Sequence, residues 1–116
     1  MAKATGIGGV FFRAQDTEAM AEWYETHLGI PGFWSQEAGM TVFAPFKHDS
    51  DYFAAGKQWM INLRVDDLEA LLVQLRAADI AVETREEWDT PETGKFARIH
   101  DPEGNPVELW QPATRP

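Results

Sequence analysis

The residues that could do chemistry lie at alternate positions of predicted strands near the end of the chain. Glu108 and His100 supply a carboxylate and an imidazole, which are common proton-transfer groups in enzymes. Arg64 and Arg98 could hold a substrate carboxylate or stabilise a developing oxyanion. With Glu108 as general base and His100 as its acid or base partner, this set would suit a lyase or isomerase acting on a small carbonyl compound or organic acid.

The alternation of side chains along the predicted strands separates a uniformly apolar face from a mixed one. Ile61, Leu63, Ile99 and Leu109 fall on the apolar face, which predicts a core covered by helices. The opposite face combines bulky apolar groups with a few polar ones, as small-molecule sites do. The predicted ligand-binding residues on this mixed face are Phe11, Arg13, Phe43, Met60, Asn62, Arg64, Phe96, Arg98 and Trp110, with His100 and Glu108 as candidate catalytic residues.

Simpler structural roles are open for the polar members of this set. Arg13 and Arg64 end their strands, and each could pair with a neighbouring acidic residue. Glu108 could serve only as a buried counter-ion for Arg98 or Arg64. His100 precedes a turn and could simply bond to the backbone there.

The elements that must position these residues occur twice. Residues 9–30 and 60–80 share one plan, in which an alternating run ends in Arg, an Asp follows, and Glu-Ala lies in an amphipathic helix. Two such copies predict a pseudo-symmetric fold whose site lies where the halves meet. The predicted helices cover about 17–27 and 67–78. The predicted strands are 7–13, 33–36, 40–44, 59–65, 81–85, 95–100 and 106–111.

Two motifs and the order of the elements carry a family resemblance. The segment FARIHDPEGNPVELWQP closes the chain with the pattern DP[DE]GN-x-[VI]-E-[LF], and AMAEWYETHLGI looks like a first helix of the form FY-x-x-x-LG. In these features the chain resembles the vicinal oxygen chelate superfamily, which includes glyoxalase I, bleomycin- and fosfomycin-resistance proteins and extradiol dioxygenases. The resemblance implies an α+β fold with two βαβββ modules in tandem, which form cupped mixed sheets with the helices outside. It implies one domain over 1–116, with module one at about 1–57 and module two at about 58–116.

The resemblance also implies where a divalent metal would bind, because family enzymes hold one with four side chains. The corresponding positions here are Gly9, Thr41, Met60 and Glu108. Glycine offers no ligand, methionine is soft, and threonine binds such cations weakly. We therefore expect that the usual metal site is lost and that the protein carries no cofactor. One alternative is a displaced cation site in the connecting loop, formed by His48, Asp49 and Asp51. Another is a metal held by His100 with Glu108, although two ligands are short of the three that catalytic zinc sites use.

Length and composition narrow the function further. The chain has 116 residues, which suits one domain, and 44% of them are hydrophobic. A net charge of −9 argues against partners such as nucleic acid or anionic membranes. The absence of cysteine excludes disulfides and thiolate chemistry. Because no signal-peptide core or membrane-length apolar run is present, we expect a cytoplasmic protein.

The predicted function is binding of a small molecule. We expect a protein of the glyoxalase and bleomycin-resistance type that sequesters or senses a small organic ligand without the usual metal, with the lyase or isomerase as the alternative. Three arginines on the mixed face favour a planar, partly anionic or amphoteric ligand over a strongly cationic one. Because cupped half-barrels leave strand edges and an apolar face uncovered, we also expect a homodimer.

Overall fold

The computed structural model describes residues 2–113. In chain order the elements are α1 (Thr17–Leu28), β1 (Ile61–Arg64), α2 (Leu68–Ala77), a short 3-10 turn (Glu86–Trp88), β2 (Gly94–His100) and β3 (Pro106–Pro112). The strands form a three-stranded sheet in the order β1-β3-β2. Strand β3 runs parallel to β1 and antiparallel to β2, so the protein is a small α+β fold with a mixed sheet.

Both helices are capped by the aspartate that follows the alternating run in the repeated plan. A carboxylate oxygen of Asp16 accepts the amide N–H of Ala19 at 3.0 Å, and Asp67 accepts that of Ala70 at 3.1 Å. Helix α1 ends at Gly29, whose φ of 70° is left-handed and suits a residue without a Cβ. The predicted helices are therefore confirmed. Within residues 2–113, no helix is long and apolar enough to cross a membrane.

The hydrophobic core lies between α2 and one face of the sheet. Four strand residues on that face are fully buried, and the buried leucines of α2 belong to the same cluster. Ile61 and Leu63 of β1 pack against its edge. The prediction of which strand face is covered by helix is therefore confirmed. The buried members of this core are Leu68, Leu72, Leu75, Ala97, Ile99, Val107 and Leu109.

Module two follows the predicted order of elements, with one strand much reduced. Between α2 and β2, the predicted strand over 81–85 consists of a single antiparallel bridge between Glu83 and Arg98. Two backbone hydrogen bonds of 2.8 Å close this bridge. The bridge places residue 83 beside the free edge of β2, opposite the position that carries Arg98.

Module one differs from its prediction, because only its helix is formed. The segments 7–13, 33–36 and 40–44 contain no strand, and Phe11 and Phe43 are 95% and 81% exposed. Sequence alternation predicts which side chains share a face, but a strand also needs the N–H and C=O groups of a neighbouring strand. Within the described residues these segments have no such neighbour. The tandem arrangement of two βαβββ modules therefore stays a prediction.

The turn between β2 and β3 is built around the buried carboxylate of Asp101. That carboxylate accepts the backbone N–H groups of Glu103 and Asn105, both at 3.0 Å, and the side-chain amide of Asn105 at 2.8 Å. The hydroxyl of Tyr24 donates a fourth hydrogen bond at 2.7 Å. Gly104 supplies the φ of 81° that the turn requires. Four donors thus satisfy one carboxylate that is only 4% exposed.

The same turn attaches α1 to the sheet. The carboxylate of Glu103 accepts the backbone N–H groups of Gln15 and Asp16 at 2.9 and 3.1 Å, just before α1 begins. Burial raises the pKa of Tyr24 well above its usual value, and the hydrogen bond to Asp101 raises it further. The closing motif of the sequence therefore has a structural role, in which its acidic residues connect the two halves of the chain.

Candidate functional site

Three polar residues of the mixed face lie side by side across the three strands. Asn62 of β1 is opposite Glu108 of β3, and Glu108 is opposite Arg98 of β2. We call these three residues the polar row. Glu108 and Arg98 are each only 6% exposed, although they lie on the face that α2 does not cover. Strand parity placed all three on one face, and the register places them next to one another.

The adjacent row of the sheet is largely aromatic. Arg64, Trp110 and Phe96 occupy equivalent positions on the three strands. The rings of Phe96 and Trp110 are stacked, with centroids 6.1 Å apart and an interplanar angle of 7°. The indole N–H of Trp110 donates to the carbonyl of Thr93 at 2.7 Å. The guanidinium of Arg64 turns away to the carbonyl of Glu37, at 2.9 Å.

Both carboxylate oxygens of Glu108 accept hydrogen bonds from neutral donors. The side-chain amide of Asn62 donates to one oxygen at 2.8 Å, and the hydroxyl of Tyr52 donates to the other. Burial raises the pKa of Tyr52 to about 12, and the hydrogen bond to Glu108 contributes to this rise. The nearby charge of Arg98 acts in the opposite direction. Tyr52 is therefore a neutral phenol bound to a buried carboxylate.

Arg98 lies beside two aromatic rings that also contact each other. Its guanidinium carbon lies 4.9 Å from the ring centre of Tyr52 and 5.4 Å from that of Trp88. One terminal nitrogen donates to the backbone carbonyl of Tyr52 at 3.1 Å. The Nε–H group is buried and has no hydrogen-bond partner within the described part of the chain. Buried donors of this kind are uncommon, and each one calls for an explanation.

The counter-ion role that the sequence left open for Glu108 has no support in these contacts. Among residues 2–113, the ion pair that forms joins Arg85 to Glu83 at 2.8 Å on the surface. Glu108 forms no such pair with Arg98, although the two residues are opposite each other in the sheet. Glu108 and Arg98 therefore bind other groups and not each other. Tyr52 contacts both, through its hydroxyl to Glu108 and its carbonyl to Arg98.

The other predicted site residues lie outside the polar row. Phe11 and Phe43 are almost fully exposed, and Arg13 is exposed as well, because the strands predicted to carry them are not formed. His100 is exposed at the end of β2, and Met60 is half-buried just before β1. None of these five residues donates a hydrogen bond to Glu108, whose donors are Tyr52 and Asn62. Their roles in ligand binding or catalysis stay predictions.

Sequence reasoning missed Tyr52 and left Trp88 unassigned. Tyr52 lies in the connecting loop over 45–57, and Trp88 ends the short 3-10 turn. Neither segment has the periodicity that assigns a side chain to a face. The available signal was chemical, since Tyr52 is the residue of that loop that combines an aromatic ring with a hydroxyl group.

The residues around Glu108 do not suit a divalent metal. Its two oxygens face an amide N–H and a phenolic O–H, whereas a metal needs lone pairs directed at it. Gly9 and Thr41 are exposed, and neither they nor Met60 adds a strong ligand. Across residues 2–113, which include the loop with His48, no three His, Asp or Glu side chains lie close enough to hold a metal.

Two solved structures share this fold. TnmS3, an antibiotic-binding protein from a Streptomyces species, superimposes with a TM-score of 0.58 and 22% identity over 95% of this chain and 100% of its own. The trypanothione-dependent glyoxalase I of Leishmania major gives a TM-score of 0.55 and 20% identity over 86% of this chain and 81% of its own. A comparison with curated protein sequences gave no match.

A family model gives the relationship directly from the sequence. The model of the glyoxalase-like domain matches residues 9–110, which include α1, all but the last two residues of the sheet and the complete polar row. The matched range also contains the closing motif whose Asp101 and Glu108 occupy distinct places in the structure. The chain therefore belongs to the family of glyoxalase-like domains, within the vicinal oxygen chelate superfamily.

Proposed function

We propose that this protein binds a small organic molecule over the polar row, and that it does so to sequester or sense that molecule. The observation that carries the proposal is Arg98, a buried guanidinium whose Nε–H has no partner beside a buried carboxylate that it does not pair with. Burying a polar group without a partner costs free energy. A ligand that supplies an acceptor to this group recovers that cost.

The surroundings of Arg98 suit an organic ligand. Glu108 offers a strong acceptor, Arg98 offers a donor, and the ring of Trp88 provides an apolar surface next to them. Convergent polar groups with aromatic walls are the usual construction of small-molecule sites. The structural neighbour TnmS3 is an antibiotic-binding protein, which supports small-molecule binding as a function of this fold.

We extend the proposal to binding without a metal. The support is the set of groups around Glu108, where both oxygens already accept hydrogen bonds and the other family positions hold Gly9, Thr41 and Met60. Elemental analysis of protein purified without chelator tests this part. We expect less than one divalent ion for every ten chains, and a stoichiometric ion would contradict it.

The lyase or isomerase is the competing hypothesis, and the geometry favours it less. It needs Glu108 as a free base with His100 as its partner. Glu108 already accepts two hydrogen bonds, and His100, which lies one row away at the exposed end of β2, forms none with it. Turnover of a carbonyl or organic-acid substrate that is lost in both Glu108→Gln and His100→Gln would replace binding by catalysis as the function.

Titration calorimetry with a panel of metabolites and antibiotics tests the binding function. We compare the wild type with Arg98→Met, which removes the guanidinium and keeps much of the side-chain volume. The matched control is Lys95→Met, which removes an exposed positive charge from the same strand. We expect at least one compound whose affinity falls about tenfold or more in Arg98→Met and not in Lys95→Met, since a hydrogen bond to a charged group contributes about 1.5–3 kcal/mol.

One result of these titrations would contradict ligand binding at the polar row. If every compound that binds has the same affinity for the wild type and for Arg98→Met, the polar row is not the site. Thermal melts of each variant accompany the titrations, so that a loss of affinity is counted only for a folded protein.

We also propose a homodimer and a cytoplasmic location. The dimer is supported by the large apolar side chains that module one exposes, including Phe11, Phe33 and Phe43, and by one edge of β1, which pairs with no strand among residues 2–113. A symmetric pairing of two copies is the commonest way to cover such a surface. Light scattering at micromolar concentration should give twice the mass of the chain. Fractionation of the producing cells tests the location.

A further inference from the structure

One residue of the connecting loop contacts both charged members of the polar row. The hydroxyl of Tyr52 donates to Glu108, its carbonyl accepts from Arg98 at 3.1 Å, and its ring centre lies 4.9 Å from the guanidinium carbon of Arg98. A donor, an acceptor and an aromatic face thus come from a single residue. This combination of groups is the one that a bound organic molecule would present to the same two side chains.

The loop that carries Tyr52 has little backbone hydrogen bonding of its own. Over residues 45–57 the backbone hydrogen bonds within the loop are two local turns, from Ser50 to Lys47 and from Lys57 to Ala54. The Nζ of Lys57 donates to Asn105 at 3.2 Å. No helix or strand forms in this range. Segments with so little regular structure open at a lower free-energy cost than the sheet does.

Tyr52 also leaves one position next to it unused. It satisfies a terminal nitrogen of Arg98 but not the buried Nε–H, which stays without a partner. A residue whose only role is to satisfy Arg98 would be expected to accept from both the terminal nitrogen and the Nε–H. A free molecule of similar chemistry could place an acceptor at the Nε–H, and it would then bind better than Tyr52 does.

We propose that Tyr52 occupies the place of the ligand, and that the ligand is a neutral hydroxylated aromatic molecule with a carbonyl acceptor. This inference rests on the binding function proposed above. The ligand would donate its hydroxyl to Glu108, present its carbonyl to Arg98, and displace Tyr52 together with the loop. Tyr52 thereby makes binding selective. A molecule that lacks either the hydroxyl or the carbonyl does not replace the contacts that the loop loses when Tyr52 is displaced.

The charges of the row explain why the ligand is neutral. An anionic group would be attracted to Arg98 but repelled by Glu108, which lies opposite it in the sheet. A cationic group would be attracted to Glu108 but repelled by Arg98. A neutral molecule with a donor at one end and an acceptor at the other matches the two charges at once.

The test uses N-acetyl-L-tyrosinamide, which copies the ring, hydroxyl and carbonyl of Tyr52. Its control compound is N-acetyl-L-phenylalaninamide, which lacks only the hydroxyl. Calorimetric affinities are measured for the full-length wild type, for Tyr52→Ala and for Phe53→Ala, the last removing an adjacent ring that contacts Phe46. The comparison separates loss of the competing side chain from general loosening of the loop.

We expect Tyr52→Ala to bind N-acetyl-L-tyrosinamide about tenfold more tightly than the wild type or Phe53→Ala does. The reason is that a side chain that fills the site lowers the apparent affinity by the fraction of molecules in which the site is open. We expect the phenylalanine compound to bind Tyr52→Ala about tenfold more weakly than the tyrosine compound, since it cannot donate to Glu108.

Equal affinity of the wild type and Tyr52→Ala for N-acetyl-L-tyrosinamide would overturn the inference, as would equal affinity of Tyr52→Ala for the two compounds. If Tyr52→Ala does not fold, Tyr52→Phe serves in its place, because it keeps the ring and loses the hydroxyl. It should bind the tyrosine compound more tightly than the wild type does, and an unchanged affinity would again overturn the inference.

The failure of this inference can be told apart from failure of the binding function. A panel compound that binds the wild type and is lost in Arg98→Met would keep the function, even if Tyr52→Ala shows no gain for the tyrosine compound. In that case the ligand reaches Arg98 without replacing Tyr52.

Discussion

Two tyrosines donate to two buried carboxylates in this protein, and the surroundings of the two pairs differ. Tyr24 donates to Asp101, whose other three donors come from residues of its own turn. Tyr52 donates to Glu108, whose other donor is a side chain of a neighbouring strand. The first carboxylate has every donor supplied from a helix or from the turn itself. The second depends on a loop.

The same chemical pair has a structural role at Asp101, and we propose that it has a binding role at Glu108. Within residues 2–113 no buried side-chain polar group of the Asp101 turn lacks a partner, and Tyr24 is one of the contacts that hold α1 to that turn. Glu108 lies opposite Arg98, whose Nε–H is buried and unpartnered within the described residues. On our proposal, a ligand can replace the hydroxyl of Tyr52 as the donor to Glu108. The same ligand can accept the hydrogen bond that the Nε–H of Arg98 does not use. The predictions that follow test this difference, beginning with the largest effect.

Asp101→Ala should cause the largest loss of stability. The change removes the acceptor of four hydrogen bonds in a site that is 4% exposed. Each buried donor left without a partner costs about 1–3 kcal/mol, so we expect the free energy of unfolding to fall by about 3 kcal/mol or more. Urea unfolding followed by circular dichroism measures it. A loss below about 1 kcal/mol would show that the turn does not depend on this carboxylate.

Glu108→Gln should affect binding more than stability. Because Glu108 forms no ion pair with Arg98, the substitution strands no guanidinium, and we expect the free energy of unfolding to change by less than about 1 kcal/mol. The affinity for the best compound of the panel should fall about tenfold or more, through loss of a charge-assisted contact. Calorimetry and thermal melts separate the two quantities. A large melt shift with unaltered affinity would assign Glu108 a purely structural role.

Tyr24→Phe and Tyr52→Phe form a matched pair that removes one hydroxyl from each site. For Tyr24→Phe we expect a loss of about 0.5–1.5 kcal/mol in stability and no change in ligand affinity, since α1 holds the ring in place. For Tyr52→Phe we expect a smaller loss in stability and tighter binding of N-acetyl-L-tyrosinamide. If both variants change stability and affinity alike, the distinction between the pairs is wrong.

Raising the pH should have the smallest effect on stability of the changes considered. Tyr52 should lose its phenolic proton at a lower pH than Tyr24. The pKa of Tyr52 is raised to about 12, and that of Tyr24 is raised further, both chiefly by burial. An exposed tyrosine has a pKa of about 10, so the unfolded chain loses its phenolic protons first. The stabilisation is therefore complete below about pH 10 and declines as the pH rises through the raised values.

The absorbance of tyrosinate measures the ionisation of the two tyrosines directly. The variants Tyr24→Phe and Tyr52→Phe show which tyrosine gives each transition. We expect Tyr24→Phe to leave one transition near pH 12, which belongs to Tyr52. Circular dichroism at each pH is the control for unfolding. A tyrosine that ionises near pH 10, at a pH where the dichroism is still that of the folded protein, would contradict the burial of that phenol.

Much of module two could be predicted from the sequence because its signals are local. The aspartate caps, the leucines of α2 and the alternation in β2 and β3 each specify an element within a few residues. Alternation also placed Asn62, Arg98 and Glu108 on one face. Their exact alignment in one row depends on strand register, which alternation alone does not specify.

The rest of the site could not be predicted, because it depends on contacts that have no local signal. Tyr52 reaches Glu108 from a loop without periodicity, across a separation of 56 residues. The strands of module one have the correct alternation, but alternation does not provide a neighbouring strand with which to pair. Phe11, Arg13 and Phe43 were therefore assigned to a face that these segments do not form in the structure.

The attachment of α1 to the closing turn has a consequence for the order of events during synthesis. All strands of the sheet lie within residues 61–112, whereas the hydrogen bonds that hold α1 span 77 and 88 residues. On the ribosome α1 leaves the exit tunnel before Asp101 and Glu103 are made. The apolar side of the helix, with Trp23 and Tyr24, consequently stays unprotected until that later part of the chain has emerged. Closure of such a long loop makes the docking of α1 a late step, after the sheet has formed.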